Sequence, residues 1–237
     1  MLKTSSFSCA GRKGKNQDSI LIEPLNDGRF LIAIADGMGG HIGGDIASEL
    51  ALNTVKRELV SHPGTNFSVV FDRVQQAFIQ KTKQEPELSK MGTTLTVCII
   101  DKNKAHIAHV GDTRLYHLRN SGILSRTKDQ TEVQKLLDDK VLSKARAKKY
   151  HRKNILLSVM SAYREYEIQE SSFELHNSDR LILFTDGAYS LVSKREVRDL
   201  SLENNDIKYF LNSIQSLIES REIKDDYTAV VLEFNRI

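Results

Sequence analysis

The sequence predicts an α+β protein in which helices pack on largely antiparallel β-sheets. Three observations carry that prediction. Short runs rich in Ile, Val, Leu and Thr recur along the chain, bounded by turn-forming residues. Longer segments with apolar residues at helical spacing are interspersed with them. Two connections between successive strands are short enough to be hairpins, which join antiparallel neighbours.

The strand runs are residues 29–35 (RFLIAIA), 94–100 (TLTVCII), 104–110 (KAHIAHV), 113–119 (TRLYHLR), 180–185 (RLILFT) and 227–234 (YTAVVLEF). Asp101-Lys102-Asn103-Lys104 and Asn120-Ser121-Gly122 read as hairpin connections, which makes this stretch a meander. Helices are expected at about 45–60, 67–83, 131–150 and 206–221. The second is the clearest: Phe67, Val70, Phe71, Val74 and Phe78 share one helical face. No internal repeat, low-complexity tract or Pro/Gly-rich linker interrupts the pattern. The expectation is a single domain over residues 1–237.

Composition narrows the class. The chain has 237 residues, 40% hydrophobic and 27% charged, as in ordinary globular proteins. At this length roughly 70% of the unfolded surface is buried. The net charge of +3 demands neither a nucleic-acid nor a membrane partner. Cys9 and Cys98 form no C-x-x-C and read as reduced thiols. The N-terminus "MLKTSSFSCAGRKGK" lacks a signal-peptide core, and no apolar run approaches the roughly 18–20 residues that span a bilayer. A cytoplasmic monomer is expected.

Acids at strand ends carry the chemistry. Three Asp-Gly pairs occur, and they are not equivalent. Asp27-Gly28 follows Asn26 between two extended segments and reads as a hairpin turn. Asp36-Gly37 follows LIAIA and Asp186-Gly187 follows LILFT, so both acids stand where a buried strand emerges. A carboxylate there is costly to desolvate unless it is paired or binds a metal. Asp112 ends "AHIAHVGD", Asp18 precedes Ile20-Leu21-Ile22, and Asp225 and Asp226 precede the last strand. Five acidic sites beside five apolar strands suit an oxygen cage for a hard divalent cation such as Mg²⁺ or Mn²⁺. A chance set of turn and capping aspartates is the bland alternative.

Other chemistries lack their residues. The sequence contains no G-x-x-x-x-G-K-[ST], no H-E-x-x-H and no G-x-S-x-G. Neither cysteine has an arginine six positions on, as a cysteine-dependent phosphatase loop requires; Lys15 and Lys104 stand there. The seven histidines are scattered.

Taken in order, "KNQD", "ADGMGGH", "MGTTLT", "HVGDTRLY", "KDQT", "LFTDG" and "DDYTAVV" resemble the metal-dependent protein phosphatases of type 2C, in their bacterial form with Met after the first Asp-Gly. The resemblance spans about residues 12–232. It implies a four-layer α/β/β/α sandwich with two central antiparallel sheets and a dinuclear Mn²⁺ or Mg²⁺ centre. Hydroxide shared by the two ions would attack phosphoserine or phosphothreonine in proteins, the products of a serine/threonine kinase. By the resemblance, Asp36 matches the bridging ligand, and the Gly37 carbonyl binds one metal. Asp186 and Asp225 match further ligands, and these three aspartates are the catalytic core. Asp18 matches an acidic position acting directly or through water. Asp112 matches a ligand of a third, weaker metal, and Thr94 a position lining the site. The glycines after Asp36 would let backbone carbonyl and phosphate approach the metals.

Four departures stand out. Lys13, with Arg12 beside it, occupies the place of the family's phosphate-binding arginine; both are candidates for that role. Asp226 replaces an Asn. Met38 stands where eukaryotic members carry a histidine. "NILLSVMSA" replaces the usual run after the flap, which is expected over about 131–160. The alternative function is a catalytically weak regulatory or binding module on the same fold; an unrelated divalent-cation hydrolase of small phosphate esters is a third. The basic stretch 140–153, "KVLSKARAKKYHRK", is either a solvated surface or a lid that steers acidic phosphorylated segments.

Overall fold

The computed structural model describes residues 2–12, 14–38 and 43–235. In chain order the first half contains β1 (Leu2–Cys9), β2 (Asp18–Pro24), β3 (Phe30–Met38), α1 (Gly44–Ser61), α2 (Phe67–Gln84), β4 (Gly92–Thr93), β5 (Leu95–Asp101), β6 (Lys104–Val110) and β7 (Arg114–Arg119). The second half contains β8 (Gly122–Ser125), α3 (Glu132–Asp138), α4 (Lys144–Ala147), β9 (Met160–Ser161) and β10 (Gln169–Glu174). It ends with β11 (Asp179–Phe184), α5 (Asp186–Tyr189), α6 (Lys194–Glu203), α7 (Ile207–Glu219) and β12 (Tyr227–Phe234).

Two antiparallel sheets stack face to face. One has the order β1-β12-β11-β7-β8; the other runs β10-β6-β5-β3, with β2 on the far side of β3 and the short β4 and β9 extending its end. Side-chain alternation builds the layers. On β3, Leu31, Ala33 and Ala35 pack under α1 and α2, while Ile32 and Ile34 meet the other sheet. On β11, Leu181 and Leu183 face between the sheets, and Ile182 and Phe184 pack under α6 and α7 with Phe210 and Ile214. A strand buried on both faces needs apolar residues at every position. That is why LIAIA and LILF read as unbroken runs. The result is the α/β/β/α order of layers.

Most expected elements are present, with three differences. The β5–β6 and β7–β8 hairpins form, with Lys102 (φ 54°) and Asn120 (φ 51°) in their turns. They lie in different sheets, however, so the expected meander does not exist. The chain crosses from one sheet to the other at Gly111-Asp112-Thr113, where Gly111 takes φ 109°. The helix expected over 131–150 is two short ones. Lys140 turns left-handed (φ 57°), and the N–H groups of Val141 and Leu142 both donate to Leu136 O, which closes α3. Ser143 then starts α4 by accepting the Arg146 N–H. The polar strand β10, the edge of its sheet, escaped the periodicity because most of its side chains are exposed.

Candidate active site

Asp36 lies near the end of β3, where that strand passes from β5 to β4 as its partner. Two threonines fix it there. Its N–H donates to Thr94 Oγ1, and its carbonyl accepts from Thr94 N–H and Thr93 Oγ1, each at 2.9 Å. Asp18 stands directly opposite Asp36 in the β2–β3 pair. The Thr185 hydroxyl donates to Asp18 Oδ2 at 2.8 Å and accepts the Thr228 N–H at 3.0 Å. One side chain thus ties β2 to the end of β11 and the start of β12.

Two glycines let the acidic segments touch. A Cβ on Gly37 would lie 2.0 Å from the Gly44 carbonyl oxygen and 2.6 Å from that of Gln17. A Cβ on Gly187 would lie 2.0 Å from the Asp226 carbonyl oxygen. At these two positions the glycine of Asp-Gly is required by neighbouring backbone. Gly39 and Gly40 lie outside the described residues.

Asp18, Asp36, Gly37, Asp112, Asp186 and Asp225 all line one cleft of about 720 Å³, together with Thr94 and Met38. Asp27 does not: it is exposed in the β2–β3 turn and bound to Arg29. Among the described residues no three such side chains converge on a single point as they stand. They do share a field. Burial first, then the charges of Asp18, Asp186, Asp112 and Asp225, push the Asp36 carboxyl well above the usual range. Burial, with Asp226 and Asp186 adding to it and the threonine hydrogen bonds opposing, raises Asp18 to about 7. Burial and the neighbours Asp186 and Asp129 likewise raise Asp112 to about 7. The Tyr189 hydroxyl donates to Asp112 Oδ2 at 3.2 Å, and the Arg114 guanidinium, paired with Asp129, stacks 3.7 Å from the Tyr189 ring centroid.

The phosphate-binding expectation fares differently. Arg12 is exposed and ion-paired to Glu222 at 3.0 Å, outside the cleft. Lys13 lies outside the described residues. Among the described residues, the basic side chain that lines the cleft is Lys15, which pairs with Asp45. Asp226 is buried against backbone: its oxygens accept the N–H groups of Gly11 and Gln17, each at 2.8 Å. Lys15, Asn154 and Leu156 also line the cleft, which no local pattern in the sequence marks.

The family model for protein phosphatase 2C matches residues 8–225. The chain belongs to the protein phosphatase 2C family. It is thereby a protein phosphatase, a phosphoric monoester hydrolase. The chain is 28% identical to the serine/threonine phosphatase stp of Listeria welshimeri, over 93% of this chain and 90% of that one. It is 30% identical to the protein phosphatase PhpP of Streptococcus pneumoniae, over 84% of each. Among solved type 2C structures, the catalytic domain of the serine/threonine phosphatase PstP in complex with two manganese ions superposes with a TM-score of 0.83. It is 27% identical over 98% of this chain and 97% of that one. The expected four-layer sandwich is the fold of these structures.

Proposed function

We propose that residues 1–237 form one catalytic domain that hydrolyses phosphoserine and phosphothreonine in proteins with the help of two Mn²⁺ or Mg²⁺ ions. The observation that carries this reading is the meeting of five acids, from five separate segments, in one cleft. The donor set fits hard cations: it is all oxygen, without His or Cys, and burial together with neighbouring acids pushes the Asp18, Asp36 and Asp112 carboxyls upward. Asp36, Asp186, Asp225 and the Gly37 carbonyl would hold the two ions, with Asp18 beside them and Asp112 toward a third.

When bound, such ions lower the pKa of water toward neutrality and neutralise the phosphoryl oxygens. The chain supplies position. Thr93 and Thr94 fix the Asp36 backbone, and Thr185 holds the Asp18 carboxylate, which limits the reorganisation these segments need. From the loop before β2, Lys15 lines the cleft and would present its ammonium group to the phosphate, whereas Arg12 is turned to Glu222. Met38, also lining the cleft, has no proton to give, so the leaving oxygen takes its proton from water. Asp36, Asp186 and Asp225 in one cleft weigh against the reading as a catalytically weak regulatory module. The proposal extends to a cytoplasmic monomer acting on proteins phosphorylated by a serine/threonine kinase. No helix among the described residues is long and apolar enough to cross a membrane.

Hydrolysis of an aryl phosphate with Mn²⁺, with Mg²⁺ and with chelator tests this. Activity should vanish in chelator and return with Mn²⁺, more fully than with Mg²⁺. Full activity in chelator, or loss on thiol alkylation alone, overturns the metal-centre reading.

A further inference from the structure

A second groove, of about 1310 Å³, opens from the carboxylate cleft and shares Asp112, Asn154, Asp186 and Asp225 with it. The segment after β8 contributes Lys144, Lys148 and Lys153 to its lining. Lys194, the first residue of α6, lines it from a different part of the chain. Val133, Leu137 and Leu191 give it apolar surface.

The charge balance of this groove is uneven. Its acids outside the cleft are already engaged: Asp129 by Arg114 at 2.7 Å, and Glu222 by Arg12 and Lys224. Among the described residues, no carboxylate pairs with Lys144, Lys148, Lys153 or Lys194. Lys194 lies 5.1 Å from the Tyr116 ring centroid. The structure also divides the basic stretch 140–153. Arg152 is locked on Glu132, through two hydrogen bonds to one carboxylate oxygen and one to the other, and does not line the groove. Lys140, Arg146 and Lys149 lie outside the groove as well. The cations that matter for the groove are therefore set by tertiary position, and one of them is remote from the basic stretch in sequence.

We infer that this groove holds the polypeptide flanking the phosphorylated residue and selects substrates that carry acidic side chains there. The inference rests on the phosphatase reading, which places the phosphate in the adjoining cleft. Extended chain advances roughly 3.3 Å per residue, so side chains one to about four positions from the phosphoresidue reach the groove. Four ammonium groups without a paired carboxylate favour carboxylates and disfavour lysine or arginine at those positions. Because the lysines are largely exposed, each contributes modestly and the effect is screened by salt.

The test compares three phosphopeptides with the same phosphoresidue, flanked by Glu, Ala or Lys. At low salt kcat/KM should fall in that order, by about tenfold between the extremes, and the spread should shrink as salt rises. The triple substitution Lys144→Ala, Lys148→Ala, Lys194→Ala should abolish the order. None of these three lines the carboxylate cleft, so aryl phosphate turnover should change by less than about twofold. Equal rates for the three peptides on the unsubstituted enzyme, with Mn²⁺-dependent aryl phosphate hydrolysis intact, overturn the groove and leave the phosphatase standing. If aryl phosphate is not hydrolysed, the phosphatase reading falls, and the groove is judged by anisotropy of the labelled peptides alone. Tighter binding of the acidic peptide then supports it; no order among the three overturns it.

Discussion

Asp36 and Asp27 are both followed by glycine, yet their surroundings are opposite. Asp27 is exposed and bound to Arg29, whose hydrogen bonds lower its pKa. Asp36 is held in a cleft whose burial and like charges raise its pKa. Replacing Asp36 with Asn should cut kcat/KM on an aryl phosphate by about 10³-fold or more if Asp36 is the ligand shared by two ions, as proposed. Replacing Asp27 with Asn should leave the rate within about twofold, as exposed turn positions usually allow. Steady-state kinetics on the two folded variants decides. Equal losses mean that the cleft is not the site of reaction.

At the scale of elements, the 11–17 loop shows what a buried carboxylate does besides bind metal. Asp226 spends its two oxygens on the N–H groups of Gly11 and Gln17. Asparagine, the residue that the family pattern has there, offers one oxygen and an NH₂ group. One backbone N–H would then face another donor. Asp226→Asn should therefore cost about 1–3 kcal/mol of stability, the usual penalty for an unsatisfied buried group. It should also raise KM for aryl phosphate more than it lowers kcat, because the loop carries Lys15 into the cleft. Chemical denaturation and a KM-against-kcat comparison test both halves. No change in either shows that these hydrogen bonds do not hold the loop. The start of α6 has comparable definition: Ser193 and Glu196 form a capping box just before and after Lys194, which fixes where that lysine enters the groove.

For the whole molecule the acids set a pH dependence. Asp18 and Asp112, raised to about 7, and Asp36, also raised well above its ordinary value, bind more protons folded than unfolded between pH ~4 and ~7. In chelator, stability should accordingly fall as pH rises through that window, the reverse of the usual behaviour of a salt-bridged aspartate. A divalent cation held by these carboxylates, as proposed, would bind their ionised forms and displace those protons, so its affinity should rise with pH. The gain in Tm on adding saturating Mn²⁺ should be larger at pH 8 than at pH 6. Thermal unfolding with and without chelator at the two pH values measures this. An equal gain at both means that the titrating acids are not the ligands.

What the sequence by itself determined was whatever is local. Alternation along a strand buried on both faces writes itself as an apolar run, so β3, β5, β11 and β12 were legible, as were α1, α2 and α7 from helical spacing. An acid at the end of such a run is conspicuous because its desolvation needs a reason. That marked Asp18, Asp36, Asp112, Asp186 and Asp225 as candidates. Only the tertiary structure decided which segments meet. Stacking the sheets split the expected meander at Gly111 and brought Asp112 beside Asp186. It turned Arg12 outward to Glu222 and Lys15 into the cleft, and it set Lys194 in the same groove as Lys148. Spacing along a chain fixes which face of an element a residue occupies. Which other face it meets depends on contacts between elements far apart in sequence, and these form only when the layers pack.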